Sequence, residues 1–379
     1  MDTSVDFLYL SEEDMLKTGV CDMKGCIDTM QEMFSLMGKG DYRMGGPNGN
    51  EHGIIMTFPK TSGITGMPLD APDRRIVAMP AYVGGDIHMC GIKCYGSNQN
   101  NRAKGLPRST LMLTLIDPET GVPVAYMSAN VLSAMRTGAV PGLGVRFLCR
   151  KNPKVVSIVG PGVMGKTALA AFLTEQPSIE TVKVKGRRWK GIDEFVYYCK
   201  KNFPQVKNCV VCENYKEACS GADIICFGAN NALKFEDNPY IKGEWLKPGA
   251  LVISTSALLM DEDFLADTSK CRLVSDNYKM YEGWGTGRKY PTQKTVSTLI
   301  GMCFYDLVST GKVSRDAVTN IGDIVNGKAE GRTSEDQIIV YAVGGMPTED
   351  VAWGTKCVRA AKEMGIGQRL HLWTKPKFA

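Results

Sequence analysis

The sequence predicts an α/β protein in which a doubly wound parallel sheet is inserted into a second domain of mixed α+β character. Its 379 residues are more than a single hydrophobic core usually organises, so two domains are expected. The opening part contains several short strand-like segments, whereas the part from Lys154 onward alternates apolar runs with helical segments. A strand and a helix beyond Gly322 return to the opening pattern, which indicates that the alternating part is an insertion.

The opening domain is predicted from helical spacing followed by alternation. Residues 12–37 repeat apolar positions at helical intervals and end at the glycines of Gly38-Lys-Gly40. Segments with a period of two residues predict strands, and Asp117-Pro-Glu-Thr-Gly121 predicts a turn that joins the last two as a hairpin. The predicted strands are 54–58, 76–79, 89–94, 110–116 and 122–127.

A glycine-rich turn follows the apolar run 155–159 and precedes a predicted helix, 166–173. In Gly160-Pro-Gly-Val-Met-Gly165, Gly160 permits a tight turn, Gly162 lets a pyrophosphate approach the backbone, and Gly165 lets the helix pack closely on the strand. Val163 and Met164 complete this predicted cofactor-binding set at the positive end of the helix. The motif predicts a Rossmann-type dinucleotide site, and a glycine turn without a ligand is the alternative.

The end of the next predicted strand, 182–185, favours one nicotinamide cofactor over the other. An Asp or Glu usually stands there and binds the ribose 2'-hydroxyl. Here Gly186 is followed by Arg187 and Arg188, which offer room and positive charge for a 2'-phosphate. We therefore expect NADP(H), with NAD(H) as the alternative if the arginines form only a solvated turn.

The remaining segments complete the parallel sheet and define the domains. Strands are predicted at 209–212, 222–227, 250–254 and 272–275, a long helix at 295–308, then a strand at 337–343 and a helix at 348–364. We expect the last strand and helix to close on the opening sheet. The predicted domains are 1–136 and 321–379 for the substrate and 137–320 for the nucleotide.

Composition excludes several classes of function. A net charge of +5 is too small and too dispersed for the basic face that binds nucleic acid. Thirteen scattered cysteines indicate a reducing compartment, so a cytoplasmic location is expected, and only three histidines argue against a metal site. Apolar runs fall short of the roughly 18 residues that span a membrane, so no membrane partner is expected.

Several blocks together resemble the ornithine cyclodeaminase and mu-crystallin family. They occur in the family's order over most of the chain, and the resemblance implies a homodimer whose substrate domain pairs its sheet with that of a partner subunit. The blocks are Gly91-Ile-Lys93 with Lys104-Gly-Leu-Pro-Arg-Ser109, Asn130-Val-Leu-Ser-Ala-Met-Arg-Thr137, the Gly160 turn, Gly322-Asp-Ile-Val-Asn-Gly-Lys328 with Gly331-Arg332, Glu349-Asp-Val-Ala352, and Gly365-Ile-Gly367.

The resemblance also implies roles for individual residues. Lys93 and Arg136 match the family's substrate-facing lysine and arginine, Arg43 is a looser match to a further substrate-binding arginine, and Thr137 matches a position that helps hold the cofactor phosphates. Their chemistry suits these roles. A guanidinium can bind a carboxylate bidentately, and a lysine that is partly desolvated near other cations can lose its proton and take part in acid–base steps.

One position departs from the family's cyclodeaminases, which carry an aspartate just after the strand predicted at 250–254. Leu258 stands there and cannot move a proton, while Asp261 and Asp263 fit the acidic first turn of a helix. We therefore expect an NAD(P)H-dependent oxidoreductase that reduces an imine or ketimine to an amino acid, or runs the reverse amino-acid dehydrogenase reaction.

Other functions stay open at this point. They are an ornithine cyclodeaminase, an opine-type enzyme that joins amino acids, and a protein like mu-crystallin that binds NADPH or a small ligand without turnover. A regulatory protein that binds phosphate at the Gly160 turn is a further alternative. The glycine-rich segment 45–52 fits a lid, a specificity loop or a simple connection.

Overall fold

The computed structural model describes residues 3–229, 232 and 234–378, which form two compact units. The first unit contains the described residues up to Asp22, Gly40–Arg136, and the chain from Met346 onward. The second unit contains Met23–Lys39 and Thr137–Gly345. Strands and helices are numbered in chain order through both units.

The first unit is built on a mixed sheet with the strand order β18-β1-β7-β6-β5-β4-β2, in which β3 also pairs with β4. Its strands are β1 (Val5–Leu10), β2 (Tyr42–Met44), β3 (Ile54–Thr57), β4 (Arg75–Val83), β5 (Met89–Ser97), β6 (Ser109–Ile116), β7 (Pro123–Ser128) and β18 (Gln368–Trp373). Its helices are α1 (Glu12–Lys17), α12 (Pro347–Met364) and the beginning of α3 (Asn130–Leu148).

Alternation along the strands buries one face of this sheet under α12. Val77 and Met79 of β4 and Leu113 and Leu115 of β6 are almost fully buried, while the residues between them are more exposed. Helix α12 contacts β4, β5 and β6. The hairpin predicted around Asp117 is confirmed, because β6 and β7 pair in antiparallel register.

The second unit is a doubly wound parallel sheet, which confirms the predicted fold class. The order is β10-β9-β8-β11-β13-β17-β15-β16, and the order reverses between β8 and β11. Its strands are β8 (Val155–Val159), β9 (Thr181–Lys185), β10 (Asn208–Val211), β11 (Ile224–Phe227), β13 (Leu251–Ser254), β15 (Cys271–Ser275), β16 (Val318–Asn320) and β17 (Ile338–Ala342), with a separate pair, β12 (Tyr240–Ile241) and β14 (Leu259–Met260).

Helices surround this sheet and continue the alternation that the sequence predicts. They are α2 (Met23–Lys39), the rest of α3, α4 (Val163–Glu175), α5 (Trp189–Asn202), α6 (Tyr215–Cys219), α7 (Glu262–Ala266), α8 (Tyr278–Gly285), α9 (Thr292–Thr295), α10 (Ile300–Ser309) and α11 (Ile321–Val325). The helix predicted over 295–308 begins later, because α10 starts at Ile300 and Thr295 belongs to the separate short helix α9. The carboxylate of Asp306 in α10 accepts hydrogen bonds from the backbone N–H groups of Thr292 (2.9 Å) and Gln293 (3.0 Å), which fixes α9 as a separate turn.

The helical segment predicted over 12–37 consists of two helices, α1 and α2. The first helix ends at Thr18, and Gly19 follows in a left-handed conformation with φ of 82°. Helix α2 lies in the second unit, where Gly38 and Gly322 let α2 and α11 approach closely. A Cβ on Gly38 would stand 2.6 Å from the carbonyl oxygen of Gly322.

The predicted return to the opening sheet at residue 321 also differs from the structure. Strand β17 lies between β13 and β15, parallel to both, so the second unit continues to Gly345. Ile339–Ala342 are fully buried, as expected for an interior strand of a parallel sheet, but such an apolar run does not specify its sheet. Among the described residues, no helix is both long enough and apolar enough to span a membrane.

Candidate active site

Four charged side chains form a buried cluster in the first unit. Lys93 lies on β5, Arg136 on α3, and Glu349 and Asp350 in the first turn of α12. Lys93 is 2% exposed, Arg136 6%, and the two carboxylates 0%. Burial of this extent is uncommon for ionised groups unless they are paired, and this cluster contains two cations and two carboxylates.

The carboxylate of Asp350 is shared between the two cations. Its Oδ2 lies 2.5 Å from Nζ of Lys93, and its Oδ1 accepts from Nε of Arg136 at 3.1 Å. Arg136 also donates from Nη1 to Oε2 of Glu349 and from Nη2 to the hydroxyl of Ser133 at 3.2 Å. Three of the five N–H donors of Arg136 are engaged in these contacts, so the guanidinium retains capacity for a bidentate carboxylate.

Local sequence explains how α12 presents its two carboxylates. Pro347 starts the helix, and Oε1 of Glu349 accepts a hydrogen bond from the backbone N–H of Met346 at 3.0 Å, as in a capping box. The positive end of the helix dipole further stabilises both acids. The start of α12 is therefore fixed by Glu349 itself.

The glycine two residues before Lys93 lets β5 and α12 pack closely. Both residues point to the same face of β5, toward α12. A Cβ on Gly91 would stand 2.8 Å from a methyl carbon of Val351. The glycine thus permits the close approach of strand and helix that brings Lys93 to Asp350.

Burial shifts the protonation of this cluster. Loss of hydration, followed by the charge of Arg136, lowers the pKa of Lys93 to about 8 against the opposing charges of Asp350 and Glu349. Burial acts in the same direction on Arg136, but the two carboxylates outweigh it and raise the pKa of Arg136 above its ordinary value. Arg136 is therefore a permanent cation, and Lys93 can exchange a proton near neutral pH.

The structure does not bring Arg43 to this cluster. Tyr42 and Met44 of β2 are buried on the face that α12 covers, whereas Arg43, between them, is exposed and pairs with Tyr82 of β4. Its guanidinium donates to the carbonyl oxygens of Tyr42 (2.6 Å) and Gly40 (3.3 Å). The sequence could not predict this because the strand register decides which face a side chain occupies.

Residues 45–52 form the end of a hairpin that backbone hydrogen bonds hold in place. Gly45 and Glu51 form an antiparallel bridge, and the backbone N–H of Met44 donates to the carbonyl of Gly49 at 2.9 Å. The hydroxyl of Tyr42 donates to the side chain of Asn50, which is buried. This arrangement fits the connection that was one of the three predicted alternatives.

The glycine turn in the second unit has the geometry that its motif predicts. Gly160 has φ of 101°, and a Cβ there would stand 2.5 Å from the backbone nitrogen of Ala229. Gly162 precedes α4 and faces open space, while Gly165 packs against the carbonyl oxygen of Gly160. Val163 is 63% exposed, and Met164 follows it in the first turn. These residues form a cradle that fits a pyrophosphate.

The other predicted cofactor residues lie in two places, the turn between β9 and α5 and the helix α3. Arg187 and Arg188 are exposed after β9, and Arg188 immediately precedes α5. Burial raises the pKa of Tyr215, and the charge of Arg187 partly opposes this shift, so the two side chains are electrostatically coupled. Thr137 follows Arg136 in α3 and is half-buried.

Leu258 is fully buried in the turn after β13. Its backbone carbonyl accepts from the side-chain amide of Gln293 at 2.8 Å. The helical role predicted for the neighbouring acids is confirmed: Asp261 immediately precedes α7, and Asp263 is exposed in its first turn.

In the described ranges, no group of three or more His, Cys, Asp or Glu side chains is placed to hold a metal ion. Cys209 lies in β10 and Cys212 directly after it, and both are free thiols.

Sequence reasoning missed Glu349 and Asp350 as partners of the two cations. The available signal was the pair of adjacent acids in the first turn of the predicted helix, which fits capping equally well. Only the three-dimensional contact between α12, α3 and β5 separates the two interpretations.

Comparison with known proteins agrees with the family resemblance seen in the sequence. A sequence model of the ornithine cyclodeaminase/mu-crystallin family matches residues 20–364. The N-((2S)-2-amino-2-carboxyethyl)-L-glutamate dehydrogenase of Staphylococcus aureus is 30% identical over 370 residues, which cover 97% of this chain and 99% of that protein.

Two solved structures share the fold. A structure described as an archaeal alanine dehydrogenase dimer with bound NAD has a TM-score of 0.76 and 22% identity, covering 97% of this chain and 100% of that chain. The Δ(1)-pyrroline-2-carboxylate reductase of Thermococcus litoralis, in complex with NADH and L-proline, has a TM-score of 0.75 and 23% identity, covering 96% and 100%.

The buried cluster predicts a large difference between two arginine substitutions. Arg136→Met leaves Glu349 and Asp350 with Lys93 as their only cation, so the free energy of unfolding should fall by about 3–5 kcal/mol. Arg43→Met, at an exposed position, should change it by less than about 0.5 kcal/mol. Urea denaturation followed by circular dichroism measures both, and equal effects would contradict the cluster.

Proposed function

The chain belongs to the ornithine cyclodeaminase/mu-crystallin family, and from this premise we propose that it is an NAD(P)H-dependent oxidoreductase acting on C–N bonds. It reduces an imine or ketimine to an amino acid, or runs the reverse dehydrogenase reaction. The dehydrogenase of Staphylococcus aureus and the reductase of Thermococcus litoralis, solved with NADH and L-proline, support this chemistry.

One observation supports the proposal most directly. A lysine whose pKa is lowered to about 8 is held beside a permanently charged arginine by a common carboxylate. Arg136 suits the carboxylate of an amino acid, because its unused N–H groups can form a bidentate contact. Lys93 suits the neighbouring nitrogen, because its Nζ can hold or release a proton at neutral pH.

The reduction balances with these two residues. When bound, the nicotinamide cofactor supplies a hydride to the imine carbon. Arg136 orients the substrate through its carboxylate, and Lys93 donates the proton that the imine nitrogen needs. The product is an amine and Lys93 is left neutral. In the reverse direction, neutral Lys93 takes the proton from the amine nitrogen, and the hydride on carbon would pass to the oxidised cofactor.

The described residues favour reduction over cyclodeamination. Leu258 stands where the cyclodeaminases of the family carry an aspartate, and its side chain is fully buried and apolar. A leucine cannot assist attack of an amine or water on an imine. Lys93 remains the acid–base group of the cluster.

We assign the cofactor site to the Gly160 turn. Gly160, Gly162 and Gly165 shape the cradle, and Val163 and Met164 supply backbone N–H groups at the start of α4. Thr137 is proposed as a further phosphate ligand on the strength of the family resemblance. Arg187 and Arg188 favour NADP(H), since no carboxylate follows β9 to repel a 2'-phosphate.

An opine-type reaction is the second candidate. The Staphylococcus aureus relative, matched over 97% of this chain, is named for a glutamate whose nitrogen carries an amino-carboxyethyl group. The same chemistry, reduction or oxidation at a carbon bonded to nitrogen, would serve a substrate made of two amino acids. The two candidates differ in substrate size and carboxylate number.

We further propose that the protein is a homodimer whose second copy covers β3. Ile54, Ile55 and Met56 are 76%, 52% and 49% exposed, so both faces of this edge strand are apolar and uncovered. Edge strands of this kind are normally shielded, because they otherwise promote association. The alanine dehydrogenase that shares the fold is described as a dimer.

The proposed activity predicts oxidation of NADPH or NADH with an imine substrate. The panel contains a cyclic ketimine carboxylate, keto-acid and amine mixtures, and N-(2-amino-2-carboxyethyl)glutamate with the oxidised cofactors. Lys93→Met should lower kcat by about a hundredfold or more. Cofactor binding without turnover across the panel would indicate a binding protein, and proline formed from ornithine would indicate a cyclodeaminase.

The pKa of Lys93 predicts opposite pH profiles for the two directions. Reduction needs the protonated lysine, so its kcat/KM should fall above about pH 8, by about tenfold per pH unit. Oxidation needs the neutral lysine and should rise through the same range. Profiles that run in parallel in both directions would contradict the role of Lys93.

Replacement of Arg187 tests the cofactor preference. Arg187→Ala should raise the KM for NADPH by about tenfold or more and leave the KM for NADH unchanged, because only NADPH carries the 2'-phosphate. Lys190→Ala, another exposed cation nearby on α5, is the matched control. Equal effects on both cofactors would assign Arg187 to a general basic surface.

Light scattering tests the dimer. The wild-type protein should have the mass of two chains, each 41.4 kDa. Ile54→Lys with Met56→Lys should give a folded monomer, whereas Leu16→Lys, at another exposed apolar position, should remain dimeric. A dimer that tolerates the double substitution would place the interface elsewhere.

A further inference from the structure

We propose that Asp350 is a positioning residue for the reaction: its single carboxylate holds the ammonium of Lys93 and the guanidinium of Arg136 at a fixed separation, so that one substrate meets both. The inference rests on the proposed function and deepens it. It adds a residue that acts through Lys93 and Arg136, the two groups that the proposed function places at the substrate.

The geometry singles out Asp350 among the four charged groups. Its Oδ2 contacts Nζ of Lys93 at 2.5 Å, and its Oδ1 contacts Nε of Arg136 at 3.1 Å. These partners lie 257 and 214 residues away in the sequence, on β5 and α3. One carboxylate therefore joins three elements that the chain order keeps apart.

Glu349 has a different task despite its neighbouring position. Its Oε2 contacts Arg136, and its Oε1 accepts the backbone N–H of Met346 at the start of α12. Glu349 thus fixes the helix and one cation. Asp350→Asn leaves this cap in place, so the helix should still start correctly.

A fixed anion between the two cations is needed for electrostatic reasons. Lys93 and Arg136 carry like charges in a site that excludes water, and each stem has several rotatable bonds. Without Asp350, the ammonium would move away from the guanidinium or lose its proton. The charge of Asp350 raises the pKa of Lys93 against burial and Arg136, and the more distant charge of Glu349 contributes in the same direction.

The deciding experiment measures Lys93 directly, without substrate. Full-length protein with ¹³C-labelled lysines is titrated by NMR, and Lys93→Arg identifies the resonance. Asp350→Asn should lower the titration midpoint of Lys93 by about one pH unit or more, which is a tenfold change in its protonation ratio. Glu349→Gln is the matched control and should give a smaller shift.

Kinetics then separates positioning from charge alone. Asp350→Asn should shift the alkaline limb of kcat/KM for reduction to lower pH, whereas Glu349→Gln should mainly raise KM through Arg136. Asp350→Glu keeps the charge but moves the oxygens, so it should restore the Lys93 midpoint while kcat stays at least about tenfold below wild type.

Two results would overturn the inference. A Lys93 midpoint unchanged in Asp350→Asn would make the carboxylate purely structural, and full kcat in Asp350→Glu would show that its position does not matter. Failure of the proposed function is distinguishable, since a wild-type protein that reduces no imine still reports the Lys93 midpoint by NMR.

Discussion

Burial of charge is the constraint on which the first unit depends. Two cations and two carboxylates are removed from water in one cluster, and the ion pairs among them compensate for the lost hydration. Helix α12 starts at Pro347, and its first turn delivers both acids to the cluster. Strand β5 must place a glycine opposite α12, and α3 must turn Arg136 inward. The sheet and both helices are aligned by this requirement as much as by apolar packing.

Much of this organisation follows from local patterns. The hairpin at Asp117, the turn at Gly160 with its flanking strand and helix, and the helix at α12 depend on neighbouring residues, and the structure has all three. The doubly wound sheet likewise follows from the alternation of apolar runs and helices. Lys93 and Arg136 were identified through the family resemblance, because neither residue has a distinctive local signal.

The errors concern contacts between residues distant in sequence. An apolar run of five residues has the same pattern in either sheet. The sequence therefore does not indicate that β17 belongs to the second unit and not to the opening sheet. The pairing register of β2 with β4 decides which face of the sheet Arg43 occupies. A shift of one residue in that register would move its side chain to the other face. Glu349 and Asp350 fit the first turn of a helix, so the sequence pattern alone does not indicate that they also pair with Lys93 and Arg136.

The zero net charge of the cluster limits which ligands it can accept. A molecule that brings one carboxylate and one protonated imine nitrogen leaves the buried total at zero, whereas a keto acid of the same carbon skeleton adds an unpaired negative charge. The affinities of such a pair would measure this discrimination directly. Under the proposed function, charge balance in the cluster would thus discriminate among small acids by their ionic state.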